Sequence, residues 1–321
     1  MSRRAKIVIA VVFIVLAGLF MNSLIARSIQ DASLSKIPGC FVYLDNDKVR
    51  IYRPGEGKVN KKEYGSIEES SVLLSSDHPS RNITFLNKYS TSGLLQVSSK
   101  GSSVKISPDN KLSDYKPGNI TRWRVSGDKL YTVKYQNRQA VLMSLDKNGH
   151  IDNIKLPMPS KIKPQEDWCS APSIHNETQI IFSVPVVDRR SLMVLVDTSN
   201  DDVKVLGEGF NPEWSPDGSL IAFTYGLTLK VMDVDSSKVS SYEIWRPRTF
   251  IDRLFPFRYS VIVSNISWLG GNEYVACALV PASMAWQHQI AVIHLPTKSS
   301  YQLPISVDPV GWAWVPDSQW F

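Results

Sequence analysis

Five histidines and three cysteines are the side chains in this sequence that could hold a metal or serve as base and nucleophile. His78, His150, His175, His288 and His294 are scattered, and only His288 and His294, six apart, can share one side of a strand. No acidic residue at metal-ligand spacing accompanies them. Solvated or turn-capping roles are therefore expected, and no metal site is assigned. Cys40, Cys169 and Cys277 stand far apart with no Cys-x-x-Cys pair, which argues against zinc. Cys277, within Tyr-Val-Ala-Cys-Ala-Leu, reads as a small core residue. There is no Gly-x-Ser-x-Gly elbow, no phosphate loop and no Gly-x-Gly-x-x-Gly, and Gly55-Glu-Gly57 reads as a hairpin turn. No catalytic residue and no cofactor are assigned from motifs.

The residues best suited to chemistry are those of recognition. Residues 245–259 carry Arg246, Arg248, Arg253 and Arg258 among Trp245, Phe250, Phe255, Phe257 and Tyr259. Arg189-Arg190 and Trp286 lie in other connecting segments. Arginine and large aromatics dominate interface hot spots, so these residues form the candidate binding set. The implied partner is an acidic protein surface, another envelope protein or an anionic envelope component. The competing reading has the aromatics plugging a junction in the fold while the arginine heads reach solvent.

Net charge excludes one class of partner. The chain has 36 Lys+Arg and 30 Asp+Glu, but Arg3, Arg4, Lys6 and Arg27 sit in an acid-free N-terminal stretch. What remains is nearly neutral, which is not the basic domain of a nucleic-acid binder. Ile7 to Ala26 form an apolar run of about 30 Å as a helix, enough to span a bilayer. The preceding Arg3, Arg4 and Lys6 place its start in the cytoplasm and the rest of the chain outside. A single-pass signal-anchor is favoured over a cleaved signal, because Leu24 is too large for the cleavage position and the run is long. The expected plan is a tail at 1–6, an anchor at 7–26, a linker at 27–39 and one domain at 40–321, on the periplasmic or extracellular side of the inner membrane. Asn82, Asn119, Asn176 and Asn265 begin glycosylation sequons, which have meaning only for a eukaryotic source.

The elements that must position these residues are repeated. Asn211-Pro-Glu-Trp-Ser-Pro-Asp-Gly-Ser-Leu-Ile-Ala-Phe, followed by Leu229-Lys-Val-Met-Asp-Val-Asp-Ser-Ser, reads as strand, tight turn, apolar strand and hairpin. Four short strands in about 40 residues make one propeller blade. The same grammar recurs around Trp123, Ile174, Trp268 and Trp314, and more loosely around residues 83–101. Hairpins near 54, 100, 146, 197, 235 and 296 predict an all-β, six-bladed β-propeller following the transmembrane helix. Trp312-Ala-Trp-Val is expected to supply the inner strand of the blade begun at residue 41, closing the ring and removing its exposed edges. Repeated tryptophans at one blade position are expected to pack between sheets. Cys40 and Cys169 then fall in distant blades, so no disulfide between them is expected.

The stretch Trp214-Ser-Pro-Asp-Gly-Ser-Leu-Ile-Ala-Phe resembles the repeat of TolB-type propellers, which also occurs in the propeller of prolyl-oligopeptidase-like peptidases. The match is close over 211–239 and partial near 268 and 314. The resemblance implies the propeller fold. TolB itself is a soluble periplasmic protein whose additional N-terminal domain binds envelope partners, and the residues between Ala26 and Cys40 are too few for such a domain. The functional expectation is a membrane-anchored interaction or scaffold module. The alternative is a propeller hydrolase whose site is assembled at the channel mouth from several blades. With strands a to d counted outward from the channel, turns a–b and c–d share one face of the disc. Loops b–c and d–a, including 157–168, 185–190, 245–259 and 281–286, share the other.

Overall fold

The computed structural model describes residues 35–37, 39–45, 48–54, 59–60, 71–77, 82–87, 94–98, 103–106, 124–126, 129–146, 150–165, 168–186, 190–226, 228–244, 262–280, 288–307 and 312–315. Among them there is no helix long and apolar enough to cross a membrane; the expected anchor at 7–26 lies outside the described residues.

Among the described residues, twenty-five strands form six antiparallel sheets. Blade 1 is β1 (Cys40–Asp45), β2 (Lys48–Tyr52) and β3 (Val59–Asn60), with β25 (Trp312–Val315) as its inner strand. Blade 2 is β4 (Ser71–Asp77), β5 (Asn82–Asn87), β6 (Leu94–Ser98) and β7 (Ser103–Ile106). Blade 3 is β8 (Arg124–Ser126), β9 (Lys129–Gln136), β10 (Gln139–Leu145) and β11 (Ile151–Leu156), with β12 (Trp168–Ser170) added to β9. Blade 4 is β13 (Ser173–His175), β14 (Gln179–Pro185), β15 (Ser191–Asp197) and β16 (Asp202–Glu208). Blade 5 is β17 (Phe210–Trp214), β18 (Leu220–Tyr225), β19 (Thr228–Asp233) and β20 (Val239–Glu243). Blade 6 is β21 (Ile262–Trp268), β22 (Tyr274–Val280), β23 (His288–His294) and β24 (Ser299–Val307). The inner strands neighbour one another in the cycle β25, β4, β8, β13, β17, β21 and back to β25, which is a closed propeller.

In blades 3, 4 and 5 burial falls from the second strand outward, and this explains the sequence pattern. The second strand is covered on both sides, so β18 and β22 read as continuous apolar runs. The outermost strands β11 and β20 alternate or are almost wholly exposed and are polar. The closure expected from the two chain ends is present: Cys40 pairs with Val315, Phe41 with Trp314 and Tyr43 with Trp312. The three described tryptophans of the repeat are buried between sheets. Trp214 lies in one cluster with Ile181 and Met193 of blade 4 and Ile221 of blade 5. Trp268 joins Ala222 and Leu229 of blade 5 to blade 6, and Trp314 joins blade 6 to blade 1. Trp123 lies outside the described residues.

The Ser-Pro-Asp-Gly turn is self-capped. Ser215 N–H donates to Leu220 O at 2.8 Å, and Leu220 N–H donates back to Ser215 Oγ at 2.9 Å. Gly218 closes the turn with φ +74, a region that costs any residue with a Cβ about 1–2 kcal/mol. Pro212 sits in an inner strand at a bulge, where the register jumps from Phe210 to Glu213. An inner strand has one edge toward the channel, so a missing N–H is tolerated there.

Candidate interaction site

The strand directions fix which connections share a face. The a–b turns 176–178, 215–219 and 269–273 and the c–d turns 146–150, 198–201, 234–238 and 295–298 lie on one face of the disc, called here the turn face. The b–c and d–a connections lie on the other, the loop face.

The turn face consists of short turns whose carboxylates accept the turns' own donors. Asp217 accepts Ser219 N–H at 2.9 Å and the Ser215 hydroxyl at 2.7 Å. It also accepts Asn272 Nδ2–H at 2.5 Å, from the next blade's a–b turn. The Ser219 N–H, then the Ser215 hydroxyl, hold this carboxyl far below the usual carboxylate range. Asp197 is likewise lowered, first by the Ser199 hydroxyl, and Asp233 first by the Ser236 hydroxyl. On the other side of the same turn, the His175 ring of blade 4 lies tilted against Trp214 with centroids 5.4 Å apart, and a Cβ on Gly218 would come within 2.2 Å of its Nε2. Three consecutive a–b turns therefore interlock through blade 5. His175 and Asn272 are far from this turn in sequence, so only the unusual Ser-Pro-Asp-Gly composition hinted at the clasp.

On the same face, His294 comes nearest to a base beside a nucleophile. Its Nδ1 is 2.7 Å from the Thr297 hydroxyl, Glu273 is 4.0 Å from its Nε2, and Tyr274 stacks on it with centroids 4.5 Å apart. The Thr297 hydroxyl also lies 3.0 Å from Ser299 Oγ, so the three side chains form one hydrogen-bonded chain. The imidazole is thereby held as a cap on its own turn. His150 caps its own turn, its N–H donating to Asp146 at 2.8 Å, while its Nε2 lies 3.1 Å from Asp152. His78 and the side chain of His288 lie outside the described residues, among which no cluster of three or more metal-ligating side chains occurs. Cys277 is buried and its thiol is pushed up by that burial.

The channel is bridged near the turn face by a pair that sequence reasoning missed. Arg124 of blade 3 forms an ion pair with Glu213 of blade 5, and its Nη2 donates to Ile266 O of blade 6 at 3.5 Å. Blades 3 and 6 are opposite in the ring, so this side chain crosses the channel. Burial pulls the Arg124 guanidinium down to about 10. Trp268 Nε1–H donates to Glu213 O at 3.2 Å, and Trp214 N–H to Ser173 Oγ at 3.0 Å. No sequence spacing signals the bridge, because its three members come from three blades.

On the loop face, Arg190 is exposed and paired with Glu208 at 2.7 Å within its own blade. Arg189, Trp245, Arg246, Arg248, Arg253, Phe255, Phe257, Arg258 and Trp286 lie outside the described residues. The strands that bracket them, β20 to β21 and β22 to β23, do end and begin on this face. Exposed Arg138, Lys161 and Lys163 also lie here, as do Phe210 and Tyr225, each 44% exposed. Lys230 sits 4.2 Å from the Tyr225 ring centroid.

The connection 157–168 keeps Lys161 and Lys163 exposed on this face and is tied down toward its far end. Gln165 N–H donates to Pro185 O at 2.9 Å, and Pro164 bridges Val186. Trp168 is buried between Tyr135 and Phe182, at 5.8 and 6.1 Å. The short β8 leaves the upper half of β9 unpaired, and β12 fills it, pairing Trp168 with Tyr135 and Ser170 with Val133. Blades 3 and 4 are thereby stitched together.

No protein-family model and no curated protein matches the sequence. Among solved structures, TolB from Acinetobacter baumannii is similar with a TM-score of 0.59 at 14% identity, over 88% of this chain and 68% of that one. A structure assigned as TolB from Agrobacterium tumefaciens has a TM-score of 0.53 at 12% identity, over 85% of this chain and 92% of that one. At these identities the likeness is one of fold, a TolB-like propeller.

Proposed function

We propose that this chain is a protein-interaction module whose partner binds the loop face, and that an N-terminal segment anchors it to the outer surface of the cytoplasmic membrane. The observation that carries the reading is the contrast between the two faces. Turn-face carboxylates such as Asp217, Asp197 and Asp233 are committed to their own turns. The loop face exposes Arg138, Lys161, Lys163 and Arg190 and receives the ends of the strands that flank the arginine- and aromatic-rich 245–259 segment. Such cationic, aromatic surfaces suit an acidic protein partner. The hydrolase alternative gains no support from the channel bridge, where Glu213 is committed to Arg124, or from His294, which belongs to the hydrogen-bonded cap of its own turn.

The test is crosslinking from intact membranes with the full chain and with a variant carrying Arg189, Arg190, Arg246 and Arg248 replaced by alanine. The variant loses the exposed Arg190–Glu208 ion pair, worth about 0–1 kcal/mol. The crosslinked product should disappear while the melting temperature holds. An undiminished product would move the binding site off this face.

A further inference from the structure

Both ends of the ring leave the disc on the turn face. Strand β1 begins there at Cys40, opposite Val315, the last residue of β25. Just before it, Ile37 is buried in the cluster that holds Leu269, the first residue of blade 6's a–b turn. The chain is thus pinned to the turn face from Ile37 onward. Ten residues, 27–36, separate Ile37 from the end of the apolar run at Ala26. Ten residues reach about 33–36 Å when fully extended.

That reach favours one orientation. To lay the loop face on the membrane, the tether would have to run outward past the two outer strands of blade 1. This distance is about 10 Å at sheet spacing, and the tether would then descend a blade of six or seven residues, roughly 20–24 Å more. With the turns at either end, the detour takes up the whole tether drawn out straight, which costs it nearly all its conformational freedom. The direct path from the turn face to the membrane is short and leaves the tether slack.

Charge acts in the same sense. The turn face exposes Glu177, Asp201, Asp202, Asp217, Asp235 and Glu273 against Lys36, Lys238 and Lys298, while the described loop face exposes Arg138, Lys161, Lys163 and Arg190 against Glu243. A surface of anionic headgroups repels the first set at distances within a Debye length, about 8–10 Å.

We propose that the propeller stands with its acidic turn face toward the membrane that anchors it and presents its loop face away from that membrane, so that its partner approaches from the far side. The proposal rests on the anchored reading above. It excludes the lipids of the protein's own membrane as the loop-face ligand and leaves an acidic protein surface as the partner.

The experiment uses the full chain reconstituted in vesicles of phosphatidylethanolamine and phosphatidylglycerol carrying an acceptor-labelled lipid. A donor dye is placed at Asp235→Cys on the turn face or at Tyr225→Cys on the loop face of the same blade, with the unsubstituted chain as the labelling control. Energy transfer to the bilayer should be at least about twofold greater from position 235, because the two sites are separated by a blade height of roughly 20 Å. Inserting a twelve-residue Gly-Ser segment after Ser28 should shrink that difference. Equal transfer from the two sites, or greater transfer from position 225, in chains that co-float with the vesicles overturns the orientation alone. Failure to co-float overturns the anchor, and the orientation with it.

Discussion

Replacing Trp312 by alanine should open the ring at its seam. Trp312 is 1% exposed, pairs with Tyr43 in the register of β25 against β1, and lies 5.9 Å from the Phe41 ring. Truncating a buried tryptophan costs about 3–5 kcal/mol. One contribution runs the other way: the Trp312 indole N–H is buried with no acceptor among the described residues. Removing an unsatisfied donor of this kind returns about 1–3 kcal/mol. A net loss of about 2 kcal/mol is expected for Trp312→Ala, read as a melting temperature lower by about 3–4 °C in a domain of this size. Trp312→Phe keeps a ring against Phe41 and loses the orphaned donor, so it should fall within about 1 kcal/mol of the parent. Because β25 is joined to its blade only through β1, hydrogen exchange should quicken selectively in Phe41–Tyr43 and Ala313–Val315. An unchanged melting temperature in Trp312→Ala, or unchanged exchange in those two strands, would refute the view that this seam holds the ring.

Three further outcomes follow from the turns and the channel. Gly218→Ala should destabilise by about 1–2 kcal/mol from its positive φ plus the collision with His175; adding His175→Ala should recover the collision part only, as measured by chemical denaturation of the single and double variants. The Asp217 carboxyl is lowered in the folded state. Its contribution is therefore complete above the unfolded value of about 3.9 and is lost as pH falls through the folded value. The stability difference between the parent and Asp217→Asn should hold from pH 7 to about 5 and shrink below about 4, and a difference that grew on acidification would contradict the sign. Arg124→Met and Glu213→Gln should each cost more than half of what the double variant costs, since each single change strands one half-buried charge; strict additivity in a double-mutant cycle would mean that the two side chains are not coupled.

The periodic sequence determined the architecture because each blade is a local unit. A tryptophan or isoleucine before a tight turn, an apolar second strand and a polar hairpin repeat at blade spacing, and the six c–d hairpins fall where those residues lie. Ring closure was legible for the same reason, since an inner strand without its blade at residues 312–315 had to complete a blade without its inner strand at residue 41. Tertiary structure alone decided what joins blade to blade. The Arg124–Glu213 bridge, the Asp217–Asn272 clasp and the lodging of Trp168 between Tyr135 and Phe182 unite side chains from 14 to 89 positions apart. Such contacts depend on the radius and stagger of the assembled ring. No spacing within one repeat encodes those quantities, and for that reason the strand at Trp168–Ser170 and the arginine that braces the channel were legible only in the assembled ring.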